Sequence, residues 1–96
     1  MKYSRNQNYV LRNIHGSYFL IDITDNYKDD KCRLIEINEV GEFIWSKLTT
    51  ELTIKELTDE LLAVLIDDVS YDMIYNDIKE YLETMNAKGI IVKRRA

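Results

Sequence analysis

The chain has 96 residues, a net charge of −4 and an apolar fraction of 46%. This length suits one domain over residues 1–96 and leaves no room for a scaffold around a deep substrate cavity. The acidic balance argues against a nucleic-acid partner, because phosphate contacts come from Lys and Arg. Cys32 is the single cysteine, and no apolar run approaches the roughly 20 residues that span a bilayer. We therefore expect a cytoplasmic domain with no membrane partner.

The first half of the chain is predicted to form three strands. Residues 1–7 are polar and are expected to be loose. His15-Gly16 predicts a two-residue hairpin turn, because Gly16 adopts positive φ without strain. The acidic stretch 24–31 is expected to be an exposed loop. The three predicted strands are Tyr9–Ile14, Ser17–Ile23, which is rich in aromatic and β-branched residues, and Arg33–Ile37.

Three helices are predicted to follow, each with a polar residue that can cap its start. Asn38 precedes a helix from Glu39 to Thr49, and Ser70 precedes a third helix that stops at Gly89. Thr53 and Glu56 form a capping box at the start of the second helix. A short final strand is expected at residues 90–92. The order of strands and helices predicts an α+β fold, winged helix-turn-helix-like, with a three-stranded antiparallel sheet followed by three α-helices.

Few residues in this sequence suggest catalysis. His15 lies in a predicted turn, and no histidine lies near Cys32 in the sequence to activate it. One His and one Cys cannot complete a four-ligand zinc site, and the glycines form no phosphate-binding motif. Phe43 and Trp45 lie on an amphipathic helix, so we expect core packing for both. The sequence predicts no enzyme, no metal and no cofactor.

The third predicted helix carries a stripe of larger polar and aromatic residues. Tyr71, Tyr75 and Lys79 are four residues apart and lie beside Ile74 and Ile78. A half-buried flank of the core is the simpler interpretation of this stripe. The alternative is the wall of an apolar groove that receives a ligand.

Several segments together resemble a known family over residues 8–92. They are Tyr9–Ile21, Ile37–Trp45 with Leu48, Thr53–Leu57, and the end of the third helix with Ala87–Ile91. They resemble the PqqD family and its relatives, the recognition elements (RREs) of ribosomally synthesised and post-translationally modified peptides (RiPPs). The resemblance implies a non-catalytic domain that holds the leader segment of a precursor peptide for a RiPP-modifying enzyme, such as a radical S-adenosylmethionine (SAM) protein or a leader peptidase.

In the family the leader adds as a strand between the third strand and the third helix. The resemblance therefore implies a peptide-binding site in these positions, and we expect Tyr75→Asp to weaken binding. Acidic residues on the helix (Asp72, Asp77, Glu80 and Glu83) would favour a basic leader. The implied peptide-binding residues are Arg33, Leu34, Ile35, Glu36, Ile37, Tyr71, Ile74, Tyr75, Ile78 and Lys79.

Alternation places Leu34 and Glu36 on one face of the third strand, and Arg33, Ile35 and Ile37 on the other. Two other functions stay open. A winged-helix DNA-binding regulator has the same fold, although its third helix would need basic residues. The second alternative function is that of an accessory subunit that stabilises an enzyme partner. The sequence allows a monomer or a homodimer.

Overall fold

The computed structural model describes residues 1–23, 34–65 and 68–95. These residues form a mixed α+β domain that contains a three-stranded antiparallel sheet and three helices. The predicted loop at 24–31, Cys32 and Arg33 lie outside the described residues. The elements are β1 (Lys2–Arg5), β2 (Tyr9–Ile14), β3 (Ser17–Asp22), β4 (Leu34–Ile37), α1 (Glu39–Lys47), α2 (Ile54–Val64), α3 (Tyr71–Ala87) and β5 (Ile91–Arg94).

The main sheet has the strand order β2-β3-β4, with both pairs antiparallel. His15 and Gly16 connect β2 to β3 with φ values of 53° and 86°. Two successive residues with positive φ are typical of the type I′ turn, whose twist matches that of the flanking strands. The hairpin predicted from the sequence is therefore confirmed.

The expectation that residues 1–7 are loose is wrong. β1 pairs with β5 in a second, two-stranded antiparallel sheet. The side chain of Tyr3 is only 2% exposed, and its backbone exchanges hydrogen bonds of 2.7 and 2.9 Å with Leu52. The partners of this strand lie in the middle and near the other end of the chain, so no local sequence pattern reveals the pairing. The predicted final strand is confirmed, although it begins at Ile91.

The predicted helix starts are confirmed for α1 and α2. The Oδ1 atom of Asn38 accepts a hydrogen bond of 2.8 Å from the N–H of Gly41. Thr53 and Glu56 form the reciprocal capping box, with distances of 3.1 and 3.0 Å. Ser70 occupies the predicted N-cap of α3, but its side chain makes no capping hydrogen bond. Helix α1 ends at Lys47, two residues before the predicted end.

The helices pack around one apolar core. Trp45 is 3% exposed and Leu82 is fully buried, which confirms the core role predicted for Trp45. Phe43 is only partly buried against this core, and the Nζ atom of Lys47 lies 5.3 Å from its ring centroid. The buried cluster also takes in Tyr3, Tyr9 and Leu20, so the N-terminal strands and the helices share one core.

Two carboxylates are expected to make the stability of the fold depend on pH in the acidic range. Backbone and side-chain hydrogen bonds from Thr53 lower the pKa of Glu56 below its ordinary 4.5. Hydrogen bonds from Lys93 and then Tyr3 lower the pKa of Glu83 in the same way. Groups with a depressed folded-state pKa stabilise the fold above the unfolded pKa, and this contribution is lost as pH falls through the folded pKa.

We therefore expect the Glu56→Gln/Glu83→Gln variant to lose less stability than the wild type between about pH 6 and pH 3. Gln keeps a hydrogen-bond acceptor at each position but does not titrate. Urea unfolding across this range measures the difference. Parallel stability curves for the two proteins would contradict the assignment.

Candidate functional site

The register of the main sheet fixes which backbone groups of β4 bond to β3. Ile14 and Ser17 close a two-residue hairpin, so these two residues exchange both of their hydrogen bonds. Bonded pairs alternate along an antiparallel ladder, so the next residue, Tyr18, turns its N–H and C=O towards β4. Its partner there is Ile37, and Ile35 bonds to β3 in the same way two residues earlier.

The remaining two residues of β4 turn their backbone groups away from the sheet. Leu34 and Glu36 alternate with the bonded residues, so their N–H and C=O groups line the outer edge of β4. The side chain of Leu34 is 49% exposed and that of Glu36 is also exposed, whereas Ile37 is 7% exposed. The alternation predicted from the sequence is confirmed for the four described residues.

The opposite edge of the sheet, along β2, is partly covered by the protein itself. The Nη1 atom of Arg12 donates a hydrogen bond of 2.8 Å to the outward carbonyl of Leu11. The N–H of Tyr9 donates to the carbonyl of Asn6 at 3.1 Å. The outer edge of β4 has no such cover from the described residues. Of the two edges, β4 is the more open to an added strand.

One side of α3 lies close to the start of α1, next to the end of β4. A Cβ atom built on Gly41 would be 2.9 Å from the hydroxyl of Tyr81 and 3.1 Å from the Cβ of Ile37. The three residues therefore meet where β4 leads into α1. Burial raises the pKa of Tyr81 to about 12, so its hydroxyl is protonated at neutral pH.

Tyr81 was not predicted as a site residue, although the sequence carries a signal for it. It follows Ile74 by seven residues, which is nearly two turns, so the two side chains lie within about 20° of each other around the helix. Ile74, Tyr81 and Ile35 are all partly buried and pack against the core. Ile74 and Tyr81 therefore lie on one flank of α3, and Tyr81 brings this flank close to the end of β4.

Tyr75 and Lys79 lie on a different flank of α3. Tyr75 and Tyr81 are six residues, and therefore about 120°, apart around the helix. Tyr71 stacks on Tyr75 with ring centroids 6.1 Å apart. Tyr75 and Lys79 line an open cleft of about 340 Å³. The other lining residues come from both ends of the chain, from the start of α2 and from α3 itself: Met1, Tyr3, Thr53, Ile54, Lys55, Glu83 and Lys93.

The structure thus divides the predicted site into separate groups. Four of the ten residues form β4, and Arg33 lies outside the described residues. Ile78 is 2% exposed and belongs to the core rather than to an accessible surface. Ile74 lies on the Tyr81 flank of α3. The remaining three residues form the other flank, whose cleft includes no residue of β4: Tyr71, Tyr75 and Lys79.

The predicted acidic surface of α3 is smaller than the sequence suggests. Asp72, Asp77 and Glu80 are exposed. Glu83, however, accepts hydrogen bonds from the Tyr3 hydroxyl and the Lys93 Nζ atom, each at 3.0 Å. The charge of Glu83 is therefore paired with Lys93 within the domain.

Within residues 1–23, 34–65 and 68–95, no group of His, Cys, Asp and Glu side chains is arranged to hold a metal ion. In the same ranges, no helix has the length and apolar character required to cross a membrane. His15 is exposed in its turn. Among the described residues, the outward backbone edge of β4 is the candidate binding site.

A family model described as "Coenzyme PQQ synthesis protein D (PqqD)" matches residues 26–91. This range includes β4, all three helices and the first residue of β5, and it is more than half of the chain. No match was found among curated proteins or among solved structures. On the strength of this match, the chain belongs to the PqqD family.

Proposed function

We propose that this domain binds the leader segment of a ribosomally synthesised precursor peptide as an added strand beside β4. The domain would present the leader to a modifying enzyme, such as a radical SAM protein or a leader peptidase. Membership of the PqqD family supports a role in the synthesis of a peptide-derived product. The observation that carries the proposal is the outward N–H and C=O groups of Leu34 and Glu36.

Strand addition accounts for binding without a deep pocket. Two N–H and two C=O groups on the edge of β4 are available to the leader. Each hydrogen bond contributes about 0.5–1.5 kcal/mol net, since the groups exchange water for peptide. Ordering a flexible leader costs part of this gain, so micromolar affinity is expected rather than picomolar.

Side chains of the added strand would give the specificity. Alternate leader residues would face the apolar side of the sheet, beside Ile35 and the α3 flank that carries Ile74 and Tyr81. The exposed carboxylates of Asp77 and Glu80 on α3 favour a leader with basic residues. In this proposal the sheet and helices act as a winged helix-turn-helix scaffold for peptide rather than for DNA.

Titration with a synthetic leader from a precursor gene adjacent to the gene for this protein tests the proposal. We expect heat in isothermal titration, and we expect the amide signals of Leu34 and Glu36 to shift and to gain protection from hydrogen exchange. The amides of Ile35 and Ile37 already bond to β3 and should gain less. Absence of heat together with unshifted β4 amides would overturn the proposal.

Two further measurements on the same protein test the other candidate functions. A DNA-binding regulator would retain duplex DNA in a gel shift at physiological salt, which the exposed carboxylates of α3 do not favour. An accessory subunit would stabilise an enzyme partner without binding the isolated leader. Either result would replace the leader-binding proposal.

A further inference from the structure

A second cleft lies on the side of the domain formed by β1, β2 and the end of α1. Its volume is about 860 Å³, within the size range of protein ligand sites. Neither β4 nor α3 contributes to its lining, so it is separate from the leader edge. We call it the arginine cleft, since its lining includes Arg5, Arg12 and Arg94.

The charge of this cleft is opposite to that of the whole chain. The protein carries a net charge of −4, yet the described residues that line the cleft include three arginines and one carboxylate, that of Glu51. Arg94 lies 3.7 Å from Glu51, and both side chains are about half exposed. An exposed ion pair with this separation contributes little to the free energy of unfolding. Arg94 is therefore available to an incoming anion.

Arg5 and Arg12 make contacts within the domain but retain N–H donors that these contacts do not use. The guanidinium of Arg5 lies 5.5 Å from the Trp45 ring centroid, and its Nη1 atom donates to the Trp45 carbonyl at 3.5 Å. Arg12 is exposed and donates from Nη1 to the carbonyl of Leu11. A guanidinium has five N–H donors, so these contacts leave donors that can bind a carboxylate in a bidentate manner.

Apolar side chains also contribute to the lining of the cleft. Val10, Leu11 and Val92 are partly buried and contribute to the lining, and Trp45 forms part of its base. A free inorganic anion would use the arginines but not these side chains. A peptide that carries both acidic and apolar residues would use both the arginines and the apolar side chains of the lining.

We propose that the arginine cleft binds an acidic, partly apolar peptide segment of a partner protein. Charge complementarity selects the acidic residues, and the apolar lining selects the residues between them. This proposal does not require leader binding at β4, since the two surfaces share no residue. A domain of this kind would hold two chains at once, one at the edge of β4 and one in the cleft.

The test uses a fluorescein-labelled synthetic peptide of alternating Glu and Val, and the same peptide with Gln in place of Glu. In fluorescence anisotropy at low salt, we expect the Glu peptide to bind and the Gln peptide to bind about tenfold more weakly or not at all. The double variant Arg12→Gln/Arg94→Gln should lose about tenfold or more in affinity for the Glu peptide. Both residues are exposed, so the variant is expected to fold.

The matched control is Lys55→Gln/Lys79→Gln, which removes two exposed positive charges from the cleft beside Tyr75. It changes net charge equally and should leave affinity for the Glu peptide unchanged. Equal weakening by the two double variants would show binding to overall charge and would overturn the proposal. Tighter binding of a single-stranded oligonucleotide than of the Glu peptide at the same cleft would also overturn it.

Discussion

Replacement of Tyr3 by Ala is expected to lower the free energy of unfolding by about 3–5 kcal/mol, the usual cost of removing a large buried aromatic side chain. Tyr3 is 2% exposed and belongs to the central core cluster. Small domains are stable by only about 5–15 kcal/mol, so this one change would remove a large part of the total. Urea unfolding followed by circular dichroism measures the loss.

The matched control is Tyr3→Phe, which keeps the ring and removes only the hydroxyl. That hydroxyl donates a hydrogen bond of 3.0 Å to Glu83. Glu83 keeps its ion pair with Lys93, so the control should cost only about 0.5–1.5 kcal/mol. A Tyr3→Ala variant as stable as Tyr3→Phe would mean that β1 contributes nothing to the core.

The strand β1 shows where prediction from the sequence reaches its limit. The hairpin turn at His15-Gly16 and the caps at Asn38 and Thr53 depend on residues no more than three positions apart, and all were predictable. The pairing of β1 depends on β5, at the other end of the chain. A four-residue strand with one buried aromatic leaves too short a pattern to be distinguished from a polar terminus.

Asn38 and Gly41, two of the residues that carry the family resemblance, position the elements around the end of β4. Asn38 caps α1, and Gly41 leaves room where the Tyr81 hydroxyl and Ile37 approach. A side chain at Gly41 would press on both neighbours, so the small residue keeps α1, α3 and the end of β4 close together. The family match begins at residue 26, after β1, β2 and β3, although these strands complete the core.

The local geometry predicted from the sequence was confirmed within one strand and was incomplete where two elements must meet. Alternation assigned the faces of Leu34 to Ile37 correctly. On α3, spacing alone grouped Ile74 with Tyr75, two neighbouring residues that lie about 100° apart around the helix. The seven-residue spacing places Tyr81 on the same flank as Ile74, and its approach to Gly41 and Ile37 shows that it lies near the end of β4.

The largest expected effect on leader binding comes from Glu36→Pro. The N–H of Glu36 points away from β3, so proline at this position removes no hydrogen bond of the sheet. Proline is tolerated in edge strands when the missing N–H faces solvent. The variant should therefore fold, yet its ring would occupy the edge that the leader needs. We expect the affinity for the leader to fall about tenfold or more, measured by isothermal titration.

Two further variants separate backbone pairing from the other ways in which this change could act. Glu36→Gln keeps the N–H and removes the charge, so it should bind the leader almost as well as the wild type. Tyr75→Asp alters the flank of α3 that lines the smaller cleft, away from Tyr81. The sequence alone predicts weaker binding from Tyr75→Asp, but Tyr75 lines a cleft that includes no residue of β4. For a leader paired with β4 we therefore expect strong loss with Glu36→Pro and little loss with Tyr75→Asp. The reverse order would place the leader in the cleft beside Tyr75 and Lys79, as the stripe on α3 first suggested, and would leave the open edge of β4 without this role.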